Sequence, residues 1–162
     1  MSEKRKFYLT KTGLQKIKEE YQKLLKSKKL KLKKEAPPFL HSEEINAEFV
    51  SFREDFEYLE SRINELEYIL KNFELIKIPL ERDRNKVHLG ATLKVELGDE
   101  IDEFTIVGTT EADPANKKIS NESPIGRALL GHKVGDTVTI KTETVNHTCK
   151  ILRIKYKDYG SN

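Results

Sequence analysis

The sequence lacks several features on which whole classes of proteins depend. It has no tryptophan and one cysteine, Cys149, so it cannot form an internal disulfide and fits a reducing compartment. No apolar run approaches the roughly 20 residues of a membrane span, and no apolar segment follows the charged residues 1–5 as a secretory signal would require. We therefore expect a cytoplasmic protein that does not contact membranes.

Motifs for autonomous catalysis and for metal binding are also missing. The histidines are scattered, and the one short spacing that includes the cysteine, His147-x-Cys149, is too weak to predict zinc. The sequence has no Gly-x-Ser-x-Gly motif and no glycine-rich phosphate loop. These absences disfavour an independent hydrolase, an NTPase or a zinc protein.

Charge is abundant but unevenly distributed along the chain. Charged residues make up 35% of the sequence and hydrophobic residues 36%, which is polar for a compact globule and typical of an extended coiled coil. Residues 1–35 hold thirteen Lys or Arg residues and four acidic ones, whereas residues 43–81 hold four basic residues and eleven acidic ones. Two neighbouring segments of opposite charge are able to pair with each other.

Helical periodicity dominates the first half of the sequence. Thr10 and Thr12 are candidate N-caps of a first helix, which the pair Pro37-Pro38 ends. The apolar stripe of this helix comprises Leu14, Ile17, Tyr21 and Leu24. The second helix carries a longer a/d stripe: Phe49, Phe52, Phe56, Leu59, Ile63, Leu66, Leu70 and Phe73. Because a short turn separates the two helices, we expect an antiparallel coiled-coil hairpin with these aromatic side chains in its core.

The second half of the sequence predicts a small sheet with one short helix. The helix is expected over Ser123–Leu130, with Ser123 as its N-cap and Pro124 at its first position. Segments rich in Val, Ile and Thr predict strands at Val87–Leu97, Glu103–Val107, Thr137–Lys141 and His147–Tyr156. The hydrophobic period changes near residue 80, so we expect an α+β protein with a hairpin over residues 1–79 and a β-sheet domain over residues 80–162.

Residues 123–136, SPIGRALLGHKVGD, closely resemble the signature of the C-terminal domain of the Gre factors, the bacterial GreA/GreB family of transcription elongation factors. Residues 9–14 (LTKTGL), 46–49 (NAEF) and 62–67 (RINELE) also resemble segments of that family, in the same order. The resemblance implies an FKBP-like C-terminal domain that docks on RNA polymerase and a hairpin that enters the secondary channel. Such a monomeric accessory factor stimulates the polymerase's own RNA cleavage and so rescues backtracked complexes.

The resemblance also implies candidate residues at the hairpin tip, where this sequence departs from the family. The usual tip reads Gly-Asp-Leu-x-Glu-Asn-Ala-Glu-Tyr, and its acidic residues help to hold a Mg²⁺ ion shared with the polymerase active site; the isolated factor holds no cofactor. Here Ser42 and Ile45 replace both acidic residues, while Glu43 and Glu44 lie between them. We expect either that Glu43 and Glu44 supply the catalytic carboxylates or that the chain is a non-cleaving regulator of the channel.

Two further groups of residues are candidates for contacts with partners. Polymerase contacts are expected from Asn46 and Glu48, which would orient the tip, and from Ser123, Pro124, Gly126 and Arg127 in the C-terminal motif. Contacts with the 3′ end of the nascent RNA are expected from Lys28, Lys29, Lys31, Lys33 and Lys34, since clustered cations attract phosphates. The alternative for these lysines is a solvated helix face paired with the acidic second helix. An autonomous prolyl isomerase is a third, less favoured function.

Overall fold

The computed structural model describes residues 5–34, 47–141 and 146–157. The chain forms two compact units, one made of residues 14–72 and the other of residues 1–13 together with residues 73–162. The sequence predicted a division near residue 79. The structure instead assigns both ends of the helical segment to the sheet unit, because the strands that flank the helices pair with each other.

The helical unit is a hairpin of two long helices, α1 over Lys11–Lys34 and α2 over Ala47–Lys71. Ion pairs join Glu20 to Arg62 near the base and Lys31 to Asp55 farther along, so the two helices run antiparallel. Apolar side chains near the base are well buried, namely Ile17, Ile63, Leu66 and Ile69. The predicted helical hairpin is therefore present, with its densest packing at the base.

The sheet unit contains two sheets. Strands β1 (Phe7–Leu9) and β2 (Phe73–Leu75) form a short parallel pair. The larger sheet has the order β5-β4-β3-β7-β6. Its strands are β3 (Ala91–Leu97), β4 (Glu100–Val107), β5 (Lys118–Ser120), β6 (Thr137–Lys141) and β7 (Asn146–Tyr156). A short helix, α3 (Pro124–Leu129), lies between β5 and β6 in the sequence. The α+β fold class predicted from the sequence is confirmed.

Alternation along the strands separates one buried face of the larger sheet from one exposed face. Leu93, Val95, Ile106, Ile140 and Ile151 are almost fully buried, and Leu129 of α3 belongs to the same core. The alternate positions are mostly polar, as expected for a sheet with one face in solvent. Strands β4, β3, β7 and β6 pair antiparallel, and β5 pairs with β4 in parallel. The register between β3 and β7 shifts once, between Lys94 and Val95, where β7 contains a bulge. The core therefore lies on one side of the sheet only.

Three short strands were missed by the sequence interpretation. Phe73 was expected in the seam of the second helix, but it lies in β2 opposite Phe7. Here pairing with a distant segment overrides the helical spacing of the residue. β1, β2 and β5 have three residues each, too few for alternation to stand out. In the part of the chain that the structure describes, no helix is long and apolar enough to cross a membrane.

Candidate functional site

The outer half of the hairpin is held together by charged side chains rather than by a continuous apolar seam. Lys28 Nζ donates to Glu60 at 2.6 Å, and Lys31 Nζ donates to Asp55 at 2.6 Å. Each ammonium group also lies over an aromatic ring of α2, Lys28 over Phe56 and Lys31 over Phe52. The rings of Phe52 and Phe56 stack at 5.9 Å between centroids. The predicted pairing between the basic and the acidic segment is therefore present here.

This arrangement corrects the expectation that the aromatic residues of α2 form a buried core. Phe49 is 44% exposed, and Phe52 and Phe56 are only half-buried. For Phe52 and Phe56 the reason lies in α1, where Lys31 and Lys28 lie over these two rings in place of apolar residues. Lysine covers an aromatic face with its alkyl stem and keeps its ammonium group near water. The outer hairpin is therefore less densely packed than its base.

The two ends of the hairpin should respond very differently to substitution. Lys28→Met is expected to lower the free energy of unfolding by less than about 1 kcal/mol, because the side chains of Lys28 and Glu60 are 31% and 43% exposed and solvent screens the pair. Leu66→Ala at the base should cost roughly 2–5 kcal/mol, since Leu66 is 1% exposed. Urea unfolding of both variants checks the contrast, and equal losses would contradict this account of the hairpin.

A stripe of lysines lies on the outer face of α1. Lys23, Lys26, Lys29 and Lys33 are spaced three or four residues apart, so they share one side of the helix, and all are exposed. Among the residues that the structure describes, none of these lysines has an acidic partner within ion-pair distance. Of the five lysines predicted to contact RNA, Lys28 and Lys31 pair with α2, while Lys29 and Lys33 belong to this outer lysine stripe. Lys34 ends α1, and its side chain is outside the described part of the chain.

The tip candidates fall mostly outside the described residues. This applies to Glu43, Glu44 and Asn46, and also to Ser42 and Ile45. Glu48 lies in the first turn of α2 with an exposed side chain, where a carboxylate favours the positive end of the helix dipole. It lines a shallow depression together with Lys31, Phe52 and Asp55. Within residues 5–34, 47–141 and 146–157, no three His, Cys, Asp or Glu side chains lie close enough to hold a metal ion.

The first half of the C-terminal motif is shaped by the turn that begins α3. Ser123 Oγ accepts from the backbone N–H of Gly126 at 3.0 Å, which confirms it as the N-cap, and donates to the carbonyl of Ser120 at 2.7 Å. A Cβ atom on Gly126 would lie 2.1 Å from the same carbonyl oxygen. Ser123 and Gly126 were predicted from the sequence to contact the partner. In the structure both residues shape the turn that begins α3.

Pro124 and Arg127 are the exposed members of the predicted docking set. Arg127 Nε donates to the backbone carbonyl of Glu122 at 2.7 Å. The carboxylate of Glu122 receives a hydrogen bond from Arg5 at 3.1 Å. One edge of the Arg127 guanidinium is thus held by the turn. Pro124 and Arg127, both exposed, thus lie at the start of α3 on either side of the buried Gly126 in the sequence.

The second half of the motif forms a turn fastened by Asp136. Gly131 and Gly135 have φ angles of 84° and 93°, which only glycine adopts readily. The Asp136 carboxylate accepts from the backbone N–H of Lys133 at 2.8 Å, and His132 Nδ1 lies 3.3 Å away. The hydrogen bond from Lys133, followed by that from His132, lowers the pKa of Asp136. The turn leaves Val134 51% exposed.

A capping contact at the start of α1 involves Glu111, a residue that the sequence analysis missed. The Glu111 carboxylate accepts from the backbone N–H of Thr10 at 2.6 Å and from its hydroxyl at 2.7 Å. The Thr10 Oγ1 atom in turn accepts from the backbone N–H of Gly13 at 2.9 Å, so Thr10 is the N-cap. Thr12 lies inside the helix. No local signal could reveal Glu111, because it is separated from Thr10 by 101 positions.

Comparisons with known proteins decide the family of this chain. Residues 82–156 match a family model described as the C-terminal domain of the transcription elongation factors GreA/GreB. Transcription elongation factor GreA of Thermoanaerobacter pseudethanolicus is 43% identical over 154 residues, which cover 91% of this chain and 96% of that protein. GreA of Thermomicrobium roseum is 37% identical over 149 residues, with the same two coverages. The chain belongs to the GreA/GreB family.

The solved structure of Gfh1, a GreA factor homolog of Thermus thermophilus, is 24% identical to this chain with a TM-score of 0.41, and the alignment covers 93% of this chain and 99% of that one.

Within this GreA/GreB family member, the segments that carried the resemblance have identifiable structural roles. Residues 9–14 contain the Thr10 cap, and a Cβ atom on Gly13 would lie 2.2 Å from the Glu111 carboxylate. The C-terminal motif contains the Ser123 cap and the Asp136 turn.

Removing the Glu111 carboxylate should destabilise this family member measurably. Glu111→Ala is expected to lower the free energy of unfolding by roughly 1–3 kcal/mol, because the backbone N–H of Thr10, a residue only 4% exposed, would lose its acceptor. Glu111→Gln should cost less, since the amide oxygen can still accept one hydrogen bond. Thermal unfolding of both variants checks the order; an alanine variant as stable as the glutamine variant would contradict it.

Proposed function

We propose that this chain binds bacterial RNA polymerase and rescues backtracked elongation complexes by stimulating cleavage of the 3′ end of the nascent RNA. One observation carries the proposal: the similarity to proteins named transcription elongation factor GreA extends over both units, covering 91% of this chain and 96% of the relative's length. A factor that retained only the sheet unit, residues 1–13 and 73–162, would match a clearly smaller share of such a relative. The chain acts as an accessory to the polymerase, which supplies the active site.

The hairpin is the part proposed to enter the secondary channel. With 24 residues in α1 and a rise of 1.5 Å per residue, it reaches about 36 Å. The ion pairs of Lys28 and Lys31 with α2 join the two helices in the outer half of the hairpin. The outer lysine stripe supports a contact with the RNA or with anionic parts of the channel, because clustered cations attract phosphates and release their counterions.

The tip supplies the carboxylates in this proposal. Glu43 and Glu44 bring oxygen ligands, which Mg²⁺ prefers, to a metal ion shared with the polymerase. When bound, such an ion supplies an activated water and stabilises the leaving oxygen in phosphodiester hydrolysis. Glu48, at the start of α2, helps to orient the tip.

The sheet unit is proposed to dock on the outside of the polymerase through the start of α3. Pro124 and Arg127 are exposed there, and Ser123 and Gly126 hold the turn that presents them. Arg127 has donors left over after its hydrogen bond to Glu122, since a guanidinium group carries five N–H donors. An acidic or carbonyl-rich surface is the complementary partner.

A second candidate function is favoured by the tip sequence. Ser42 and Ile45 stand where the family's usual tip has acidic residues. A neutral side chain at both positions weakens metal binding, and a hairpin that fills the channel without recruiting a metal ion would block or modulate the polymerase. The chain would then be a channel-binding regulator of the same architecture.

A restart assay tests the proposal and separates the two candidates. Elongation complexes are halted and backtracked in Mg²⁺, nucleotides are added, and full-length transcripts are counted with and without the protein. We expect restart to increase in its presence, with binding verified by competition against a secondary-channel ligand. Binding without restart supports the regulator instead. Failure to bind polymerase at all would contradict both candidates.

A further inference from the structure

The solvent face of the larger sheet carries an excess of basic side chains that the proposed function does not use. Positions on this face alternate with the buried core positions of the same strands. Its basic residues are Lys94, Lys118, Lys141, Lys150, Arg153 and Lys155, and its acidic residues are Glu96 and Glu103. We call this surface the cationic sheet face. It lies on the opposite side of the sheet from the core.

The cationic sheet face depends on the bulge in β7. Ile151 pairs with Val95 in the core, and without the bulge Leu152 would be the residue opposite Lys94. Because β7 contains one extra residue, Arg153 pairs with Lys94 instead, and Lys155 pairs with Thr92. A bulge reverses which side chains of a strand face outward. Arg153 and Lys155 thus reach the same face as Lys150, while Ile154 and Tyr156 turn to the core.

The sheet places two cations directly opposite each other on this face. Lys94 and Arg153 are cross-strand partners, an arrangement that destabilises a sheet in isolation. Glu103, on the far side of Lys94, offsets one of these charges through a 3.1 Å contact with Arg153. Lys150 and Lys155 have no ion pair within the described part of the chain. The cost of adjacent positive charges is recovered when a polyanion binds across them.

We propose that the cationic sheet face binds the phosphate backbone of a nucleic acid duplex, independently of sequence. Duplex DNA carries one negative charge per roughly 1.7 Å along its axis. This linear charge density is twice that of one of its strands. A broad cationic surface is therefore expected to attract a duplex more strongly than a single strand. Apart from the bulge residue Leu152, the outward positions of β3, β4, β6 and β7 in the described residues carry threonine, charged residues, Asn146 and Ile101. They carry no aromatic ring on which unpaired bases would stack. The face therefore fits a backbone rather than splayed single-stranded bases.

The test uses the full chain alone, without polymerase, so its outcome is independent of the proposed cleavage function. Binding of a labelled 30-base-pair duplex of arbitrary sequence is measured by fluorescence anisotropy between about 50 and 200 mM salt. The variant is Lys150→Gln plus Lys155→Gln. The control is Lys86→Gln plus Lys133→Gln, which removes two exposed lysines from loops of the same unit. The α1 lysines are unchanged in all three proteins, so their contribution cancels in the comparison.

The sheet variant is expected to bind the duplex roughly tenfold more weakly than the control variant at about 100 mM salt, with a log–log salt slope less steep by about 2. The unmodified chain should bind the duplex more tightly than a single strand of equal length. Circular dichroism and the melting temperature verify that both variants fold. Equal slopes for the folded sheet and control variants, or tighter binding of the single strand, would overturn the proposal.

Discussion

Replacing Glu43 and Glu44 together by alanine is expected to reduce factor-dependent RNA cleavage at least roughly 100-fold while leaving polymerase binding intact. Residues 41–47 contain no acidic residue other than Glu43 and Glu44, so the double substitution removes both carboxylates that are proposed to hold the shared Mg²⁺ and leaves Glu48 in place. Binding should persist because the hairpin helices and the start of α3 are unchanged. Gel analysis of labelled transcripts in a backtracked complex measures the cleavage.

The matched control for the tip is Glu54→Ala plus Glu57→Ala. This variant removes the same charge from exposed positions of α2 farther from the tip. It should cleave within about twofold of the unmodified protein, because charge more than one Debye length from the reacting phosphate is screened. Undiminished cleavage by the Glu43 and Glu44 variant would exclude these residues as the carboxylates. Equal loss in the control would point to net charge rather than to the tip.

Gly126→Ala is expected to be strongly destabilising, by roughly 2–3 kcal/mol, and to lower the melting temperature by roughly 5–10 °C. The added Cβ atom would lie 2.1 Å from the Ser120 carbonyl oxygen and 3.1 Å from the Asn121 Cα atom, and both are backbone atoms that cannot rotate away. The helix start must move, and the Ser123 cap is lost with it. Thermal unfolding followed by circular dichroism measures the effect.

Arg127→Ala provides the contrast at the next position of the motif. Arg127 is exposed, and its side chain makes one hydrogen bond within the described residues, to the Glu122 carbonyl, so truncating it should cost less than about 1 kcal/mol. We expect this variant to fold normally and to bind polymerase more weakly. If Gly126→Ala melts at the unmodified temperature, then the close approach to Ser120 does not constrain the motif as described.

The helical hairpin could be predicted because its signals are local. The Thr10 cap lies next to the helix that it begins, and the stripe through Ile63 and Leu66 repeats at the helical period. The same applies to α3, where Ser123 and Pro124 are adjacent to the turn that they form. The charge difference between the helices also had a direct structural counterpart in the pair Lys31–Asp55.

Features that depend on contacts between distant segments could not be predicted. β1 and β2 are three residues long and pair across the whole hairpin, so Phe73 was assigned to a helix whose spacing it continues. Glu111 caps α1 from a different part of the chain. The half-burial of Phe52 and Phe56 depends on the lysines of α1 that lie over their rings, which periodicity within α2 alone does not reveal.

The candidate site was predictable in part, for a similar reason. Sequence resemblance identified the C-terminal motif, but only the structure separates the exposed Pro124 and Arg127 from Ser123 and Gly126, which build the turn. Likewise, the lysine cluster was evident in the sequence, and the structure divides it into Lys28 and Lys31, which pair with α2, and the outer lysine stripe. The roles of Glu43 and Glu44 stay predictions.

The most direct test of the central claim is the appearance of short 3′ RNA fragments from a purified, backtracked elongation complex in Mg²⁺, with and without this protein. We expect the protein to accelerate release of these fragments and to leave a shortened transcript that can be extended again. A chain that binds the polymerase and yields no additional fragments over the intrinsic rate would contradict the claim that it is a cleavage factor.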